Sequence, residues 1–85
     1  MTRENILEGL KTVLAPYTPD KGTLNSITLE TEFVRDLKIN SANMVDILID
    51  AEERYDIEID MDSAERIHNV GSCVDVIIEK MNERN

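Results

Sequence analysis

Apolar residues recur three and four positions apart in three separate stretches of this chain, which confines it to helices packed on one another. Ile6, Leu7, Leu10, Val13 and Leu14 predict a helix over 3–15, with Thr2 as N-cap and Pro16 as its stop. Gly9 is a weak point in that pattern. In 41–55, Met44, Ile47, Leu48, Ala51 and Tyr55 share one face at roughly 100° per residue. Val70, Cys73, Val74, Ile77, Ile78 and Met81 give the buried stripe of a last helix over 70–82. A short helix is expected over 62–67, capped by Asp60 or Asp62.

Residues 16–40 carry no such stripe. Tyr17-Thr18-Pro19-Asp20-Lys21-Gly22 has turn chemistry. Ile27 to Phe33 alternates like a strand, but a lone strand among helices has no partner. A long ordered loop that pins Leu29, Phe33 and Leu37 into the core is the expectation. The fold class is therefore all-α, a four-helix bundle with a short third helix and a long first loop, forming one domain over 1–85.

A domain of this size buries only roughly 60% of its unfolded surface. Its single cysteine, Cys73, cannot form an internal bridge, which points to a reducing compartment and a cytoplasmic location. The first residues lack the basic and apolar regions of a signal peptide, and no apolar run reaches the roughly 20 residues of a membrane span. Eighteen acids face nine Lys and Arg, a formal charge of −9. That balance argues against nucleic-acid or anionic-membrane binding and for a monomer. Asp46, Asp50, Glu52, Glu53, Asp56, Glu58, Asp60 and Asp62 crowd one quarter of the chain against Arg54 alone. Such density suits steering toward basic partner surfaces.

Catalytic and metal constellations do not emerge. His68 is the sole histidine, one Cys with one His cannot make a zinc site, and Cys73 falls on an apolar face. Asp56-x-Glu58-x-Asp60-x-Asp62 has the rhythm of a calcium loop. Met61 replaces its central glycine and Ile67 its last acid, which leaves at most weak cation binding.

The segment beginning at Ser41 stands apart. Asn43, Asp46, Asp50 and Glu53 make an acidic face opposite the core stripe. Ala42, Val45 and Ile49 form an apolar edge beside it, fitted either to widen the core or to hold a partner. Ser41 likewise has two readings. It is a helix cap without a reciprocal partner, since position 44 is Met, or it is a site for a covalent phosphodiester. Free N–H groups and the positive end of the helix dipole would stabilise such an anion.

Phe33-Val34-Arg35-Asp36-Leu37-Lys38-Ile39-Asn40-Ser41-Ala42 resembles the F-x-x-D-L…D-S-L motif of acyl carrier proteins. The resemblance continues through Val45-Asp46-Ile47, Ala51 to Ile59, Ala64-Glu65-Arg66-Ile67 and Val74-Asp75, covering about residues 5–80. It implies the bundle with a long first loop. It also implies that Ser41 receives 4′-phosphopantetheine from coenzyme A through a separate phosphopantetheinyl transferase. The arm's thiol then carries acyl chains as thioesters, and the carrier itself supplies no catalytic group. Partners implied are an acyl-ACP synthetase and synthase or transferase enzymes with basic docking patches, in fatty-acid, modified-lipid or polyketide synthesis. The docking positions implied are Asp36, Ala42, Val45, Asp46, Ile49, Glu52 and Glu53, and Asp50 of the acidic face is expected to join them.

Departures from the motif accompany it. Asn40 and Ala42 flank the serine in place of Asp and Leu, and Asn43 replaces a common acid. The missing leucine removes on the order of 1–2 kcal/mol of apolar contact, which predicts a different partner preference. Ala51 is small for its core position, which predicts room for an unusual acyl chain. An aminoacyl or aryl carrier loaded by an adenylating ligase shares the use of Ser41. A carrier fold that is never modified and serves only as an interaction protein is the alternative from another class.

Overall fold

The computed structural model describes residues 2–84 as an all-helical bundle, 36 × 25 × 20 Å in extent. Its α-helices are α1 (Arg3–Leu14), α2 (Lys21–Asn25), α3 (Met44–Tyr55), α4 (Met61–Glu65) and α5 (Val70–Arg84). Single 3₁₀ turns span Ala15–Tyr17 and Ser41–Asn43. The four expected helices are α1, α3, α4 and α5. The fifth, α2, lies within the expected loop, where Asp20 caps it by accepting from Gly22 and Thr23 N–H. Its five residues are too few to show a hydrophobic period, so only the turn chemistry was readable.

Thr2 caps α1 through the Asn5 N–H, and the α-helix ends two residues before Pro16. The α1 helix packs on both α3 and α5. Gly9 is what lets α3 come close. A Cβ there would lie 2.1 Å from the Tyr55 hydroxyl, which donates to the Ile6 carbonyl at 3.1 Å. Ile6, Leu10 and Leu14, Ile47 and Ala51, and Val70, Val74 and Ile77 are buried from three helices, as is Val76, which the periodicity omits. Met44, Leu48, Ile78 and Met81 are only half-buried at the margin of this core.

The first loop is ordered by backbone bonding. The Val70 N–H donates to the Thr31 carbonyl at 2.8 Å, and the Gly71 N–H to the Leu29 carbonyl at 2.7 Å. Asn69 accepts from the Ser72 N–H, and the Ser72 hydroxyl accepts in return from Asn69 and His68 N–H. Cys73 N–H donates to the Asn69 carbonyl. All four donors that a helix start leaves unpaired are thereby satisfied at α5. Beside them, an isolated antiparallel bridge joins Glu32 and Asn69, and no strand forms among the described residues.

Phe33 and Leu37 are buried as expected, together with Ile27 and Ile39. Leu29 is a correction: its side chain is 37% exposed, because its role is played by its carbonyl. Asp60, rather than Asp62, caps α4 by accepting from the Ser63 N–H at 2.9 Å. The loop-to-α5 contact leaves no room for a side chain at position 71, where a Cβ would lie 2.7 Å from the Leu29 carbonyl oxygen. Gly71→Ala is therefore expected to destabilise the protein by about 1–3 kcal/mol, despite alanine's better helix propensity. Thermal denaturation followed by far-UV circular dichroism checks this, and an unchanged midpoint would contradict it.

Candidate functional site

Ser41 is reached through a loop whose buried and exposed residues alternate by design of its bonds. Leu37 N–H donates to the Glu32 carbonyl and Ile39 N–H to the Phe33 carbonyl, so both side chains point into the core. Between them Lys38 takes a left-handed conformation, φ 59°. Asn40 then turns the chain into the helix. Its side-chain oxygen accepts from the Ala42 N–H at 2.9 Å and its carbonyl from the Asn43 N–H at 2.8 Å.

Asn40, not Ser41, is thus the cap. Asparagine is as good a cap as serine, so this signal was present in the sequence. Ser41 is exposed, and among the described residues its hydroxyl has no hydrogen-bond partner. The expected free N–H groups are largely absent. Those of Ala42 and Asn43 go to Asn40, and that of Met44 goes to the Ser41 carbonyl. An anion on Ser41 would feel the helix dipole rather than a ring of open donors. A 4′-phosphopantetheine arm would fit here on those grounds: Ser41 is exposed, its hydroxyl is unbonded among the described residues, and the neighbouring Ala42 is small and exposed.

The apolar edge lies outside the core. Val45 is 62% exposed and Ile49 45%, with Ala42 exposed beside them, so this edge does not widen the core stripe. The acids around it divide by role. Asp36 accepts from the Glu32 N–H at 2.8 Å and from Arg35 at 3.2 Å, closing the loop before Ser41. The Glu32 N–H, followed by Arg35, holds its carboxyl below the usual range. Asp50 accepts from the Tyr17 hydroxyl at 3.0 Å, a bond that pushes the phenol's pKa up. Glu52 accepts from the Ile59 N–H at 2.7 Å. Asp46 and Glu53 are exposed and form no hydrogen bond or ion pair among the described residues.

Other candidate residues sit elsewhere. Cys73 is fully buried, and burial pushes its thiol up to about 12, so it packs as a small hydrophobe. His68 is exposed, with Nδ1 3.2 Å from the Arg66 carbonyl. An open groove of about 810 Å³ lies at the far end of α3, lined by Ile57, Ile59 and Lys80 with flanking acids. By helix rise it is roughly 20 Å from Ser41. Ala51 is fully buried and does not line it.

No protein-family model matches the chain. Over 79 residues it is 40% identical to the acyl carrier protein of Tropheryma whipplei strain Twist, covering 92% of this chain and 93% of that one. The chain belongs to the acyl carrier protein family. The meromycolate extension acyl carrier protein of Mycolicibacterium smegmatis is 32% identical over 84 residues, covering 99% and 82% of the two chains. Among solved structures, the acyl carrier protein of Thermotoga maritima superposes with a TM-score of 0.81 at 19% identity, covering 98% and 94%. That of Enterococcus faecalis gives 0.75 at 25% identity, covering 94% and 99%. The first shows a shared fold, and the sequence relatives make this chain an acyl carrier.

Asp36 supplies a pH test of the loop that positions Ser41 in this carrier. Its folded pKa is lowered, so its contribution is complete above the unfolded value of about 3.9 and is lost as pH falls through the lower folded value. Wild type should exceed Asp36→Asn in thermal midpoint at neutral pH, with the difference closing as pH drops below about 4. Melting curves of both proteins across that range check it, and a difference constant with pH would refute the assignment.

Proposed function

We propose that Ser41 is the attachment point of a 4′-phosphopantetheine arm, on which this carrier moves acyl chains between enzymes. The observation that carries this reading is an exposed serine at the head of α3, near exposed Val45 and Ile49, with the Ser41 hydroxyl, Asp46 and Glu53 all without a hydrogen bond or ion pair among the described residues. In loading, Ser41 Oγ attacks the pantetheine-bearing phosphorus of coenzyme A. A P–O bond forms to serine as the P–O bond to adenosine 3′,5′-bisphosphate breaks, and the serine proton passes to a base of the transferase. Once attached, the arm supplies a thiol that holds the acyl group as a thioester.

Partners on this reading are a phosphopantetheinyl transferase, an acyl-ACP synthetase and synthases with basic docking patches. Asp46 and Glu53 steer, while Ala42, Val45 and Ile49 hold. Asp36, Asp50 and Glu52 stay in the interface region but spend their carboxylates on the fold. A lone buried thiol supports placement in the cytoplasm. The Mycolicibacterium relative's association with meromycolate extension supports a modified-lipid cargo as one of the open choices.

Intact mass after incubation with coenzyme A and a broad-specificity transferase tests the site. Wild type should gain one arm, and Ser41→Ala should fold normally yet gain none. A Ser41→Ala protein that still loads would sink the assignment. Asp46→Lys with Glu53→Lys should weaken transferase binding severalfold, with the loss shrinking at high salt. Unchanged affinity would remove the steering role.

A further inference from the structure

We propose that the Lys38 ammonium pairs with the phosphodiester anion once the arm is attached to Ser41, making Lys38 a positioning residue for the arm's root. This rests on the reading of Ser41 given above. Lys38 has a positive φ of 59°, a conformation that glycine adopts freely and that strains a residue with a long side chain. This lysine lies three residues before Ser41 in the chain.

The charge around Ser41 points to a role for Lys38. From Leu37 to Val45 there is no acid, and Lys38 is the sole charged residue, in a chain of net charge −9. Asp46 begins the acidic face. Arg35, the nearest other cation in sequence, is occupied by Glu32 at 3.1 Å and Asp36 at 3.2 Å. Lys38 is exposed and makes no ion pair within 4.0 Å among the described residues. Asp36 feels its charge, but that carboxylate is already bonded to the Glu32 N–H and Arg35. Three peptide units separate the two Cα atoms by at most about 11 Å, within reach of a lysine side chain and a phosphodiester oxygen. Because the N–H groups of Ala42, Asn43 and Met44 are already engaged, a side-chain cation is the partner this anion lacks.

The test is a cycle of thermal midpoints for apo and loaded protein in wild type, Lys38→Gln, Lys38→Arg and Lys38→Gly, with loading verified by intact mass. Loading should raise the wild-type midpoint by about 2–4 °C more than that of Lys38→Gln at low salt. Lys38→Arg should restore this difference, and high salt should erase it. Lys38→Gly should be more stable than wild type when apo, from relief of the φ strain, yet gain no more than Lys38→Gln on loading. Equal loading shifts in all four proteins would overturn the pairing while leaving Ser41 as acceptor. A wild type that stays at its apo mass, with a control carrier loading normally, would overturn the Ser41 reading and this inference together.

Discussion

Two backbone hydrogen bonds, from Val70 and Gly71 N–H to the carbonyls of Thr31 and Leu29, hold this carrier's architecture together. A helix start leaves donors that must find partners, and a long loop has carbonyls with none. Each solves the other's problem at α5. Once residues 29–31 are anchored there, Phe33, Leu37 and Ile39 have a fixed core to enter, and Asn40 has a fixed point from which to cap the next helix. Ser41 is outward because the chain turns into the helix at Asn40 and leaves the alternation that buries Ile39. The absence of a side chain at Gly71 is the local condition for the whole arrangement.

The acid-rich character of the chain conceals two populations. Asp20 and Asp60 cap short helices, Asp36 closes the loop, and Asp50 and Glu52 tie α3 to Tyr17 and to Ile59. These carboxylates face N–H or O–H donors of the protein, so the charge they carry is partly spent on geometry. Charge-assisted bonds of this kind are roughly twice as strong as neutral ones, which matters in a domain with a small core. Among the described residues Asp46 and Glu53 do no such work, and the exposed apolar edge of Ala42, Val45 and Ile49 adjoins them. The acids on this side of the molecule thus divide into those that position its loop and helices and those left beside the apolar edge.

The helices α1, α3 and α5 were legible because each buries a stripe whose period is visible in the sequence. The same period placed Tyr55 and Ala51 inside and Val45 and Ile49 at an ambiguous edge, which burial alone could decide. Pairing of Thr31 with Val70 has no sequence signature, since it is made by backbone atoms 39 positions apart. That is why Leu29 looks like a core residue in the sequence and is not one: its contact with α5 is made by its carbonyl, not its side chain. The α2 helix was hidden by its length, and the strain at Lys38 by the fact that φ cannot be read from a lysine. Asn40 was legible as a cap and was overshadowed by Ser41 beside it.

Asn40 also bears on how the proposed attachment at Ser41 would be linked to folding. An aspartate in its place would accept the same Ala42 N–H and favour the helix dipole by about 0.3–1 kcal/mol more than a neutral cap does. It would also set a negative charge near a phosphodiester on Ser41, costing about 0.7 kcal/mol at ~6 Å in water. The two effects are of similar size and opposite sign. With asparagine, the helix start gives up dipole energy before loading and avoids repulsion after it. Asn43, one turn on, is neutral as well. If Ser41 carries the arm as proposed, the start of α3 is balanced toward the loaded state, and adding the arm should firm the helix end beside it.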